Sequence, residues 1–259
     1  GLIAYLNFND VSGTTVPDQT SNGLDATASQ VVNRTSQAPL SARDGATRAL
    51  DFDGTDDYVN FGDSPDIGTS DFTVETWVRT TQTTEAVLIN SRQNGSTDGQ
   101  WTLKMSHNVG STPANAGKPY FWDYASSAYG FQCLSDTTIN DGMWHHVAFR
   151  KDGTAGKFFI NGVPDTTSCT ANSNIDYEPR DLSLGYDKRD ATSDPDYYDG
   201  ELDEIRIWSE ARTQNEIREY MFKPLLGQEP NLEAYYPLDN PRHDHVHDMS
   251  LSNNHGTFY

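Results

Sequence analysis

MWHHVAFRKDGTAGKFFINGVP, residues 143–164, is the stretch that decides the fold class. His145 to Arg150 alternate as a strand, and Asp152-Gly153-Thr154-Ala155-Gly156 forms a turn. Lys157 to Ile160 alternate again, and Asn161-Gly162 forms a second, tighter turn. A period of two sends successive side chains to opposite faces, and Asp-Gly and Asn-Gly are the strongest short-range hairpin signals. This one segment predicts an antiparallel all-β protein.

The rest of the chain repeats the pattern. Leu2 to Phe8 alternates and is followed by a loop, Asp18-Gln-Thr-Ser-Asn22-Gly23. Ala49 to Asp53 leads into Gly54-Thr55-Asp56-Asp57, and Tyr58 to Phe61 resumes. In Phe72 to Arg79, Phe72, Val74, Thr76 and Val78 share one face while Glu75, Trp77 and Arg79 share the other. Further strands are expected at 86–90, 101–106, 119–124, 131–134, 182–185 and 201–208. About a dozen short strands predict a two-sheet antiparallel β-sandwich of jelly-roll type. One short helix is expected near 213–222: Thr213-Gln-Asn-Glu216 is a capping box, and Pro224 stops the run.

Composition narrows the function classes. Eighteen Lys and Arg against 38 Asp and Glu give a net charge of −20, a field that repels nucleic acid and anionic lipid. Acidic side chains on loops are hard oxygen ligands suited to Ca²⁺, although the same excess serves solubility in salty or extracellular surroundings. Cys133 and Cys169 both fall at strand ends, which favours a disulfide over two buried thiols. No apolar run approaches 18 residues, so no spanning segment is expected. No signal peptide precedes Gly1, and the chain reads as a piece of something larger.

The two ends match. Gly1-Leu-Ile-Ala-Tyr-Leu-Asn-Phe-Asn-Asp10 resembles Asn231-Leu-Glu-Ala-Tyr-Tyr-Pro-Leu-Asp-Asn240, and Asp18…Ser21-Asn22-Gly23…Thr27 is answered by Asp248…Ser252-Asn253-Asn254…Thr257. Either residues 231–259 begin another domain, or they add a strand and loop to the first. The second is favoured, because a lone exposed strand makes a poorly ordered edge.

Four ordered segments carry a family resemblance: ALDFDGTDDYVNFGD (49–63), FTVETWVRT (72–80), DGMWHHVAFRKDGTAGKFFINGVP (141–164) and DGELDEIRIWSEARTQNEI (199–217). They resemble the laminin-G-like, concanavalin-A-like lectin-glucanase jelly rolls of bacterial surface proteins and of accessory modules on polysaccharide-degrading enzymes. The resemblance spans about residues 1–225, leaving 226–259 as an extension expected to pack on the same domain. It implies two curved sheets, structural Ca²⁺, and binding rather than catalysis. In related jelly rolls the ion sits where the first strand, an early Gly-containing turn and the last long strand meet. The matching positions are Asp10 or Asp18, the backbone around Asn22 and Gly54, and Asp203. The competing reading is that Asp18 and Asp53 only make Asx turns.

Catalysis is not expected. Glu201-x-Asp203-Glu204 resembles a fragment of the ExDxxE signature of jelly-roll glucanases, but the closing glutamate is missing because Arg206 follows Ile205. A retaining glycosidase needs two carboxylates flanking one bond. Sugar recognition needs an aromatic face and planar polar groups. Phe121-Trp122-Asp123-Tyr124 offers both, as do Asp187, Arg189, Tyr197 and Tyr198 in the acidic loop 187–199. On a strand, Tyr120, Trp122 and Tyr124 lie on one face and Phe121 and Asp123 on the other, and one of those faces must be core. For Trp122 alone, packing inside is the simpler expectation. Trp77, Trp144 and Trp208 are assigned to packing, as are His145 and His146. His243, His245 and His247 could bind Zn²⁺ or Cu²⁺, but alternating His in a Pro- and Asp-rich loop is more often just exposed. The sequence therefore predicts a Ca²⁺-stabilised, glycan-binding, monomeric module of an extracellular adhesin or a polysaccharide-degrading enzyme. The alternative is a protein-binding or spacer module of a surface protein.

Overall fold

The structure, a computed structural model, describes residues 15–16, 26–27, 49–92, 99–107, 112–125, 128–172, 175–187, 196–238 and 245–258. The chain forms two compact units, Gly1–Gln37 and Ala38–Tyr259. In the first, β1 (Thr15–Val16) and β2 (Ala26–Thr27) pair antiparallel.

The second unit is a sandwich of two antiparallel sheets. Sheet one runs β12 (Val163–Thr170), β11 (Ala155–Ile160), β10 (His145–Asp152), β5 (Phe72–Arg79), β14 (Asp199–Trp208), β15 (Leu232–Tyr236), with β3 (Leu50–Asp53) also on β14. Sheet two runs β16 (His245–Val246), β17 (Gly256–Phe258), β4 (Val59–Asp63), β13 (Asp181–Leu184), β6 (Ala86–Ser91), β7 (Gln100–Met105), β8 (Pro119–Ala125), β9 (Ala128–Leu134). Every named pairing is antiparallel, as the expected jelly-roll sandwich requires.

The opening hairpins take the predicted form with one adjustment. Ladder pairing resumes at Ala155, opposite Asp152, so Gly153-Thr154 is a two-residue loop. The next loop is Asn161-Gly162, both with positive φ (54° and 71°), which is the type I′ turn whose twist suits paired strands. Alternation then sorts the core. Phe72, Val74 and Val78 point between the sheets with Phe121, Phe131, Phe149 and Phe158. The opposite face of β5 is also buried, because helix α1 (Gln214–Tyr220) and the turn after it cover it. There Trp77 donates its indole N–H to the Met221 carbonyl (2.9 Å), and Trp208 donates to Glu75 Oε1 (2.8 Å). The predicted capping box starts the helix, Thr213 Oγ1 accepting from the Glu216 amide and Glu216 accepting from the Thr213 amide.

Cys133 and Cys169 are bonded, with Cα atoms 5.5 Å apart. β9 ends sheet two and β12 ends sheet one, so the disulfide joins the sheets along one side of the sandwich. Gly156 pairs with Cys169 in the ladder, and an added Cβ there would lie 2.6 Å from the Cys169 sulfur and 2.8 Å from the Phe131 ring. Only glycine leaves room for the bridge. The other side is closed by β15, β16 and β17, since β15 extends sheet one at β14 and the β16–β17 hairpin extends sheet two at β4. Among the described residues no helix is long and apolar enough to cross a membrane.

Candidate functional site

β8 settles which of its faces is core. Phe121 and Asp123 are fully buried, while Trp122 and Tyr124 stay partly exposed on the outer face of sheet two. Register then lines up polar groups across that face: Asn60, Ser183, Asn90, Thr102, Trp122 and Gln132 are successive cross-strand partners from β4 to β9. One rung away, Lys104 faces Tyr120, and on the other side Gln100 faces Tyr124, which faces Tyr129. A cleft of about 400 Å³ opens here, lined by Arg92, Lys104, His107, Tyr120, Trp122, Tyr129 and Gln132.

The rings are held in place by their neighbours. The Arg92 guanidinium lies 4.8 Å from the Trp122 ring, and Tyr129 meets both Trp122 (5.9 Å) and Tyr124 (5.0 Å) edge-on. Arg92 is anchored by Gln100 (3.0 Å) and by Asp187 (2.6 Å). His107 stacks on Tyr120 at 4.0 Å, and Lys104, itself buried, is ion-paired with Glu85. This gives preset aromatic surface beside planar donors and acceptors, the combination that sugar rings need.

The predicted ligand residues divide. Trp122 and Tyr124 lie at the cleft, and Asp187 reaches it through Arg92. Asp123 does not, because its carboxylate is inside the sandwich, accepting from the Tyr177 hydroxyl (2.5 Å) and the Phe131 amide. Burial pushes its pKa up to about 6, against the opposing pull of those hydrogen bonds. Tyr198 is likewise core, its hydroxyl lying 3.1 Å from the Arg79 carbonyl and 3.2 Å from that of Glu201. Tyr197 stacks on Tyr186 (5.0 Å), which in turn packs on Tyr58 (5.0 Å), a separate aromatic row. Arg189 lies outside the described residues. Sequence reading missed Arg92, Lys104 and His107. Lys104 could have been found from alternation within β7, but Arg92 and His107 come from loops that only the fold brings to Trp122.

Of the predicted metal set, Gly54 and Asp203 are the two members among the described residues, and they do not lie together. Asp10, Asp18 and Asn22 lie outside the described residues. Gly54 sits in a turn against Asp199, whereas Asp203 lies four residues further along β14, about 13 Å at the usual strand rise. Asp203 is buried and accepts from the Glu204 amide through Oδ1 (3.0 Å). The turn at Gly54 does gather carboxylates. Asp53, Asp56 and Asp57 each offer an oxygen, all within 4.8 Å of one another. Asp53 also makes the Asx turn considered from sequence, accepting from the Thr55 amide (2.8 Å).

Glu201, Glu204 and His146 are engaged with other groups of the protein. Glu201 pairs with Arg79; Glu204 accepts from Arg206 (2.6 Å) and the Tyr235 hydroxyl (3.0 Å). His146 packs edge-on against Trp77 beside Glu75, and burial, with Arg206 adding to it, pushes its pKa down to about 3. It is a neutral packing group. Of the three alternating histidines, His243 lies outside the described residues and His247 packs on His255 at 5.0 Å.

A family model described as the Concanavalin A-like lectin/glucanases superfamily matches residues 53–218. No curated protein matches the sequence. Solved structures of similar fold include a candidate carbohydrate-binding protein from Bacteroides ovatus (17% identity, TM-score 0.62, 94% of this chain). The chain spans 66% of that protein's length. They also include a heptameric SAP-like pentraxin from Limulus polyphemus (14% identity, TM-score 0.51, 79% of this chain and 96% of that one). A third is domain 4 of AbnA, an extracellular arabinanase from Geobacillus stearothermophilus, in complex with arabinotriose (18% identity, TM-score 0.50, 81% and 98%).

Proposed function

Because this chain belongs to the Concanavalin A-like lectin/glucanases superfamily, we propose that it is a non-catalytic, glycan-binding module of an extracellular protein. The observation that carries the reading is the cleft at Trp122. A partly exposed indole there is fixed by Arg92 and Tyr129 beside Lys104 and Gln132. The cleft's volume is of the order of a few sugar units, and its rings offer stacking surface while the flanking side chains offer hydrogen bonds. The resemblance to an arabinotriose-bound domain and to a candidate carbohydrate-binding protein supports this reading. The disulfide supports an oxidising, extracellular setting.

Calcium would bind at the Asp53, Asp56 and Asp57 turn, whose oxygen donors suit a hard cation with flexible geometry. It would tie down the loop that follows β3. A melt at saturating Ca²⁺ is expected to lie several degrees above one in chelator, and an unchanged midpoint would count against the ion.

A glycan array followed by titration calorimetry tests the main reading. Trp122→Ala should weaken the best ligand at least about tenfold, roughly 1.4 kcal/mol, with the melting midpoint nearly unchanged. Binding that is indifferent to this substitution places the site elsewhere, and an empty array sinks the glycan reading.

A further inference from the structure

The cleft at Trp122 is walled by bases in a chain whose net charge is −20. Arg92, Lys104 and His107 line it, and among the described residues no carboxylate does. The acids that balance these bases are set back from the wall. Asp187, almost wholly buried, holds Arg92 Nη1 at 2.6 Å, and the Gln100 side-chain oxygen holds Nε at 3.0 Å. Glu85 is ion-paired with Lys104 and lies 3.5 Å from His107 Nδ1. Acids behind and cations at the wall make the cleft the positive end of a local dipole.

The surroundings strengthen those cations. The Trp122 ring lies 4.8 Å from the Arg92 guanidinium, and the Tyr120 ring lies 5.9 Å from the Lys104 ammonium. Each ring keeps water from one side of its cation, and an ion contact is worth more there than in open solvent.

The hydrogen-bonding inventory has the same bias. Arg92 and Lys104 only donate, and Gln132 supplies the one amide oxygen among the lining side chains. A neutral sugar presents hydroxyls, which donate as well as accept, so it calls for acceptors that this wall is short of. A carboxylate accepts at two oxygens and donates nothing, and it matches the planar Arg92 fork better than a hydroxyl does.

The rest of the molecule limits how much charge a ligand can carry. Screening confines each charge to about 8 Å at physiological salt. A carboxylate inside the cleft is therefore governed by the bases around it, whereas a densely charged polymer would meet the acidic surface beyond.

We propose that the cleft selects glycans bearing scattered acidic sugars, with one sugar carboxylate docked at Arg92 and Lys104 while its ring stacks at Trp122. This rests on the glycan-binding reading above and narrows it to a substrate class. Trp122 supplies contact for any sugar ring, and Arg92 and Lys104 supply the choice.

Matched pairs of ligands test it on the intact protein. Glucuronoxylan and gum arabic carry scattered uronic acids, and each is compared with its carboxyl-reduced form by affinity electrophoresis. Sialyllactose and lactose, compared by calorimetry, form the sialic acid pair. At least one acidic member should bind about tenfold or more tighter than its neutral partner, and added salt should shrink the gap. The pair that shows the preference tells uronic from sialic acid. Arg92→Gln/Asp187→Asn removes the cation together with its buried partner, so no orphaned carboxylate is left inside. It should cut the preference at least about threefold with the melting midpoint near that of wild type. Arg92→Lys, which keeps the charge and loses the fork, is the milder second variant and should fall between. A preference that neither variant changes overturns the role of Arg92 and the proposal with it. No acidic preference in any pair also overturns it. If a neutral glycan still binds through Trp122, the glycan reading stands alone; if the array is empty as well, both fall.

Discussion

Neutralising Asp123 should flatten the pH dependence of stability. The carboxyl lies inside the sandwich between Phe131 and Tyr177, and burial raises its pKa from 3.8 to about 6. In the unfolded chain it ionises near its ordinary value, so between pH ~4 and ~6 the folded state holds a proton that the unfolded state has lost. Stability from this group is therefore fully present below about pH 4 and lost as the pH rises through about 6. The 2.2-unit difference corresponds to about 3 kcal/mol in full, of which roughly 2.4 kcal/mol falls between pH 4 and pH 7. Asp123→Asn keeps the oxygen that accepts from Phe131 and removes the titration. Urea denaturation of both proteins at pH 4 and pH 7 measures the difference directly. Wild type should lose about 2 kcal/mol more than the variant over this span. A difference below about 0.5 kcal/mol would refute the buried, internally bonded carboxyl, and with it the removal of Asp123 from the ligand site.

Replacing both Cys133 and Cys169 by Ala opens a loop with a sequence separation of 36, which by chain entropy costs about 4 kcal/mol. Calorimetry should show the melt falling by roughly 8–15 °C, and a fall under 2 °C would mean the bridge constrains little. Thr213→Ala removes the acceptor for the Glu216 amide and should cost about 1 kcal/mol by chemical denaturation. An unchanged midpoint would show that the helix is held by Trp77 and Trp208 rather than by its cap.

The fold was legible where local pattern carries it. Period-two alternation in β5, β10 and β11 and the Asn161-Gly162 turn correspond to observed strands and turns, as does the Thr213 box. The site was legible in part. Alternation in β8 paired Trp122 with Tyr120 and Tyr124 and opposed them to Asp123, but it could not say which face was core. That depends on Phe121 meeting Phe149, a residue from the other sheet, at 3.8 Å. Arg92, Asp187 and Trp122 are distant in sequence and meet because β6, β7, β8 and β13 are neighbours in sheet two, which sets Arg92, just after β6, against Asp187, just after β13. The metal prediction joined Gly54 to Asp203 through family position. Strand rise separates them, since β3 pairs with the start of β14 and Asp203 follows further along.

The two sides of the sandwich also differ mechanically. One is welded by Cys133–Cys169, and the other is held by the non-covalent strands β15, β16 and β17. Pulled from its C-terminus, the molecule should shed the C-terminal repeat first, by peeling an edge rather than shearing a centre. The welded body would then withhold the loop between its cysteines, roughly 120 Å of contour at full chain extension, until the bridge is reduced. Such a domain behaves as a tether with a soft flap and a hard stop, and single-molecule extension traces should show the missing length returning only in reductant.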